Sequence, residues 1–104
     1  LLGDLNDDLL DPPAENVFQC FKARRTDFAF PDSVISVPER QAEWSYPSWP
    51  SDLDHILIIA PMFSAFQGDA TMVQVVPLHS YLPQGLGDYD PLISDHLPSL
   101  PPIR

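Results

Sequence analysis

The sequence predicts a small mixed α/β domain, of α/β or α+β arrangement, on three observations. Leu53 to Ile59 is an apolar run of strand length, rich in Ile and Leu and stopped by Pro61. Asp11-Pro12-Pro13-Ala14-Glu15 reads as a helix start, with Asp11 as N-cap and proline in the first turn. Thirteen prolines in 104 residues restrict long helices and central strands, so loops must make up much of the chain.

The elements follow in order. Leu1-Leu2 before Gly3-Asp4 reads as the end of a buried strand running into a loop. A helix is predicted over 12–24, with Val17, Phe18 and Phe21 on one side and Lys22, Arg24 and Arg25 at its C-terminal end. Residues 28–37 mix prolines with short apolar stretches and are expected to be irregular with one short strand. Trp44-Ser45-Tyr46 alternates like a strand edge, and Pro47 to Asp52 is turn chemistry. After the Leu53–Ile59 strand, Gly68-Asp69 turns the chain into a second strand over Met72 to Val76. Residues 82–91 hold two prolines, two glycines and two Asp residues and read as a surface loop.

Composition narrows the function classes. An apolar share of 44% with 11% aromatics excludes a disordered tail. A net charge of -10 repels a phosphate backbone, and the small Lys22, Arg24 and Arg25 cluster reads as a solvated helix end rather than a nucleic-acid footprint. Nucleic-acid hydrolysis stays open where regions outside this sequence carry positive charge. Cys20 is the sole cysteine, so no intrachain disulfide forms; beside Phe18 and Phe21 it is expected to be a buried, inert thiol. The longest apolar run, Ile56 to Met62, contains Pro61 and is far from membrane-spanning length, so no membrane partner is expected. The composition leaves the compartment open. The Leu1-Leu2-Gly3 start, without Met, is expected for a fragment or a processed or trimmed chain.

Three short stretches carry the chemistry. In Leu2-Gly3-Asp4-Leu5-Asn6, Gly3 permits close approach, and Asp4 and Asn6 fall on one side of a strand end. A carboxylate there can orient or deprotonate a water, while an amide N–H contacts a phosphoryl oxygen; the bland alternative is an ordinary Asx turn. An EF-hand reading of Asp4, Asn6, Asp8 and Glu15 fails, because Leu9 stands where the sharp turn needs glycine and Pro12-Pro13 interrupt the loop. In Asp52-Leu53-Asp54-His55, an acid entering an apolar strand needs a partner, which favours Asp54 over an exposed-looking Asp52 and leaves His55 a structural role. Ser94-Asp95-His96 can offer a metal-binding carboxylate beside a phosphate-facing imidazole. His55, His79 and His96 lack the spacing of a zinc site.

In this order the stretches Leu2-Gly3-Asp4-Leu5-Asn6, Leu53-Asp54-His55-Ile56 and Ser94-Asp95-His96-Leu97-Pro98 resemble the closing signature of the endonuclease/exonuclease/phosphatase (DNase I-like) superfamily. Trp44-Ser45-Tyr46-Pro47-Ser48 also looks like the lead-in to the family's Asp-bearing strand. The resemblance spans Gly3 to Pro98. It implies that residues 1–104 are the C-terminal portion of one domain, part of a four-layer α/β sandwich with two packed β-sheets. It also implies hydrolysis of a phosphoester, in a nucleic acid or a small phosphate ester, by a water assisted by Mg²⁺ or Mn²⁺. By the same resemblance Asp4 orients or activates the water, Asn6 holds a phosphate oxygen and His96 contacts the phosphate. Asp54 fixes the His96 tautomer, and Asp95 is a metal ligand. Relatives carry an upstream metal-binding Glu that Glu15, Glu39 and Glu43 do not replace, so the missing half is expected from elsewhere. The alternative is a catalytically inactive module that self-associates or binds a partner.

Overall fold

The structure is a computed structural model that describes residues 1–66 and 73–101. It is mixed α/β, with short helices and several small antiparallel sheets. The central element is the predicted Leu53–Ile59 run. Its first half, β3 (Asp54–Ile56), pairs with β1 (Leu2–Asp4), placing Gly3 opposite His55 and Asp4 opposite Asp54. Its second half, β4 (Ile58–Ile59), pairs with β2 (Phe28–Ala29). The run changes partners at Leu57, whose N–H and carbonyl are both bonded to Leu1, at 2.8 and 3.0 Å. β5 (Gln74–Val75) pairs with β6 (Ser99–Leu100) in a third small sheet. This is the predicted second strand, shortened; Met72 and Gly68-Asp69 lie outside the described residues.

The core has two parts that meet along this run. Ile35, Ile56, Ile58 and Val73 form one buried cluster, and Leu9, Phe18 and Phe30 form the other. Four short 3-10 segments, Pro31–Val34, Pro38–Glu43, Ala60–Phe66 and Leu78–Tyr81, carry the chain around them. Three of the four hold a proline in their first two positions, where a missing N–H costs nothing.

Four local expectations are corrected. The helix predicted over 12–24 is α-helical only at α1 (Gln19–Lys22), and the residues before it form turns. The cause is Asn16, whose buried amide donates to the Leu9 and Asp11 carbonyls while its oxygen accepts the Phe18 N–H. These side-chain bonds compete with the helical ladder. Val17 is consequently exposed rather than on a buried face, and Cys20 is exposed rather than buried. Leu1 and Leu2, expected in a buried strand end, are also exposed. The loop expected over 82–91 contains α2 (Leu86–Leu92), despite Gly87 and Pro91. Gly85, at φ 59°, adopts a left-handed conformation that suits glycine and turns the chain into this helix. Burial of Tyr89 at 2% exposure holds α2 against its weak propensity.

Candidate functional site

The candidate site forms where β1, β3 and the Ser94–Leu97 segment meet. In an antiparallel pair, directly opposite residues share a face, so the register puts the Asp4 and Asp54 carboxylates on one side of the β1–β3 ribbon. His96 meets both. Its Nδ1 lies 2.6 Å from Asp54 Oδ2, and its Nε2 lies 3.8 Å from Asp4 Oδ2. Residues 42 positions apart thus form a close hydrogen-bonded pair.

Several contacts set the ring's position. The His96 N–H donates to Ser94 Oγ at 3.0 Å, and the Tyr89 hydroxyl donates to the His96 carbonyl at 3.1 Å. The Tyr46 ring lies 5.0 Å from the imidazole, tilted by 41°. Ser45, fully buried, ties both halves of the dyad together. Its Oγ accepts the N–H groups of Leu53 and Asp54, and its carbonyl accepts the Leu97 N–H at 2.7 Å. Sequence reasoning placed Ser45 only in an aromatic lead-in; a serine between two aromatics, eight residues before an Asp-bearing strand, was the available signal. A cleft of about 310 Å³ opens beside the dyad, with Ser94, Tyr89 and Ser99 in its wall.

The electrostatics favour a charged imidazole. Partial burial opposes protonation of His96, but the hydrogen bond and charge of Asp54, reinforced by Asp4 and Asp95, raise its pKa above the ordinary histidine value. An imidazolium beside a cleft is a donor suited to a phosphate oxygen.

The other expected residues are placed less directly. Asp4 does make the Asx turn of the bland reading: its Oδ1 accepts the Asn6 N–H at 2.9 Å, leaving Oδ2 toward His96. Asn6 has a left-handed backbone, φ 55°, and an exposed side chain; among the described residues no hydrogen bond ties that side chain to the dyad. Asp95 is exposed, with no hydrogen bond or ion pair on its carboxylate among the described residues.

A second group was missed by sequence reasoning. Asp32, Asp52 and His55 are each fully buried, and one donor atom from each lies within 4.8 Å of the others, so this group could hold a metal ion. Asp52, expected at the surface, is corrected to the core. His55 has the structural place expected of it: its Nδ1 is 2.6 Å from Asp32 Oδ2, and Phe18 and Phe30 pack edge-on at 5.3 and 6.2 Å. Burial drives the Asp52 carboxyl upward, only partly offset by the Ser36 hydrogen bond and by His55, to about 6. Burial opposes charge on His55, but the Asp32 hydrogen bond and charge raise its pKa. Asp32 lies 20 positions before Asp52 and in a separate 3-10 turn, so no short window brings it together with Asp52 and His55.

No family model, curated protein or solved structure matches the chain.

Proposed function

We propose that this chain supplies the carboxylate–histidine portion of a metal-dependent phosphoester hydrolase site of the endonuclease/exonuclease/phosphatase type, within a four-layer sandwich. The supporting observation is the Asp54–His96 dyad at 2.6 Å with its outer nitrogen toward Asp4. In this reading His96, charged through Asp54, donates from Nε2 to a phosphate oxygen. Asp4 Oδ2, exposed on the same face, accepts a proton from the attacking water and orients it. Asn6 lies two residues on and offers its amide to a second phosphate oxygen. The free oxygen donors of Asp95 suit a hard cation such as Mg²⁺, or Mn²⁺, which when bound supplies charge neutralisation to the phosphate. The principal metal-binding Glu comes from outside these residues, since Glu43 is engaged by Arg40 and Glu15 and Glu39 are exposed on other segments.

Histidine-resolved NMR with inorganic phosphate tests the reading. Phosphate is expected to shift the His96 imidazole and leave His55 unmoved; an unresponsive His96 in a folded chain rejects it. The isolated chain is expected to show no Mg²⁺-stimulated hydrolysis of bis-p-nitrophenyl phosphate. Turnover that needs Mg²⁺ and is abolished by Asp4→Ala would remove the requirement for an outside Glu.

A second reading, an inactive module that associates with itself or a partner, draws support from the apolar surface. Leu1, Leu2, Trp49, Tyr81 and Leu92 are each at least 66% exposed. Under this reading sedimentation shows a dimer; a monomer with cooperative unfolding counts against it.

A further inference from the structure

Two carboxylates and an imidazole lie sealed beneath the ribbon that carries Asp54, and the pattern of their bonds is directional. Each has one polar atom fixed from outside the group. Asp32 Oδ1 accepts the Ile56 N–H at 2.8 Å, and Asp52 Oδ2 accepts the Ser36 hydroxyl at 2.5 Å. His55 Nε2 is 2.8 Å from the Asp7 carbonyl, which can only accept, so Nε2 carries a proton. The atoms left over are Asp32 Oδ2, Asp52 Oδ1 and His55 Nδ1. Asp52 Oδ1 is fully buried and has no hydrogen-bond partner among the described residues. A buried oxygen of this kind is costly unless something meets it.

A histidine that donates one ring N–H to a backbone carbonyl presents the other nitrogen's lone pair in a fixed direction, the usual support of a metal-ligating imidazole. Here that nitrogen lies 2.6 Å from Asp32 Oδ2, one donor atom from each of the three side chains lies within 4.8 Å of the others, and each carboxylate is anchored through its other oxygen. A neutral imidazole with two ionised carboxylates carries a charge that one divalent cation neutralises. The alternative occupant is a proton held between Asp32 and His55, which satisfies Nδ1 and Asp32 but still leaves Asp52 Oδ1 without a partner.

We propose that Asp32, Asp52 and His55 form a buried site for one divalent transition-metal ion that accepts nitrogen with oxygen, Zn²⁺ or Mn²⁺. The ion clamps three segments together: the 3-10 turn carrying Asp32, the chain entering β3 at Asp52, and β3 itself. Mg²⁺ binds poorly here, because it keeps several waters that a sealed group does not provide and prefers all-oxygen ligation. This site is independent of the phosphoester reading, which places its cation at Asp95.

The test uses the full chain, stripped with a chelator and titrated with Zn²⁺ and separately with Mg²⁺. One equivalent of Zn²⁺ is expected to bind with release of a proton. It is expected to shift His55 Nδ1 in histidine-resolved NMR, leave His96 unmoved and raise the unfolding temperature. Ser36→Ala, which keeps all three donors but frees Asp52 Oδ2, is expected to weaken Zn²⁺ binding by about 10- to 100-fold. Asp52→Asn is expected to abolish the one-equivalent binding while the chain stays folded. His96→Ala is expected to leave it unchanged. No one-equivalent binding, or binding that moves His96 and not His55, overturns the proposal, and the Asp32–His55 pair is then held by a proton alone. A failed phosphate response at His96 does not alter this outcome, so the two readings fail separately.

Discussion

Among the described residues two Asp–His pairs share the same bond, Nδ1 to Oδ2 at 2.6 Å, and are placed on adjacent residues of one strand. Asp54 belongs to the pair at the cleft and His55 to the pair in the core. What separates them is the second ring nitrogen. His55 Nε2 is spent on the Asp7 carbonyl among aromatic rings, whereas His96 Nε2 has the exposed Asp4 carboxylate 3.8 Å away. The core pair is fully buried, and the side chains of the cleft pair are 22% and 17% exposed. An Asp–His contact is therefore not by itself a sign of chemistry; the direction of the free nitrogen decides its use.

The largest effect expected from this contrast is on stability. Asp32→Ala strands a buried imidazole and the Ile56 N–H and is expected to cost about 3–5 kcal/mol. Asp54→Ala, at the partly wetted rim, is expected to cost about 1–2 kcal/mol. Urea denaturation of both variants measures the difference. Equal losses would mean that the cleft pair is as structural as the core pair.

The comparison also explains what could be read from the residues alone. The Leu53–Ile59 strand was legible because it is an apolar run of strand length, rich in Ile and Leu, that Pro61 ends, and its Ile56 and Ile58 are buried. The Asp54–His96 contact followed from a resemblance across three stretches, not from any local pattern. The core pair was hidden because Asp32 and Asp52 sit in proline- and serine-rich turns that look solvent-exposed. Their buried partners are distant in sequence, His55 and the Ile56 N–H for Asp32 and the Ser36 hydroxyl for Asp52, which no short window carries. Likewise α2 was hidden because Gly87 and Pro91 disfavour helix locally, while the buried Tyr89 ring favours it globally.

A smaller effect concerns pH. The Asp52 carboxyl is raised from 3.8 to about 6 in the folded chain, so its folded form holds the proton more tightly than the unfolded one. The sign follows from linkage: the associated stability is complete below the unfolded value and lost as pH rises through about 6. Asp52→Asn cannot ionise, so in chelator-treated samples the variant is expected to lack this decline. At neutral pH it gains up to about 3 kcal/mol over the parent. Urea midpoints across the acid range measure it; parallel profiles for the two chains would show that Asp52 does not titrate in this range. The same substitution abolishes the one-equivalent metal binding expected of the proposed buried site, so it separates the cost of the bare group from the benefit of an ion.

The smallest effect on stability, and the sharpest on assignment, concerns His96. Partial burial is the largest single influence and opposes its charge; the hydrogen bond and charge of Asp54, with the charges of Asp4 and Asp95, together outweigh it. Because the folded pKa is raised, the pair's stabilisation is present below the ordinary histidine value and lost as pH rises through the folded one. With both side chains partly exposed, the change in stability stays within about 1 kcal/mol, too small to assign the partner. The titration midpoint of the imidazole does assign it. Asp54→Asn keeps the shape and removes the charge and is expected to lower that midpoint more than either Asp4→Asn or Asp95→Asn. NMR titration of the three variants orders them. If Asp95→Asn had the greatest effect, the general field of the acidic rim would govern His96 rather than the bond from β3. The dyad would then lose its claim to fix the proton on Nδ1 and to hold Nε2 toward Asp4.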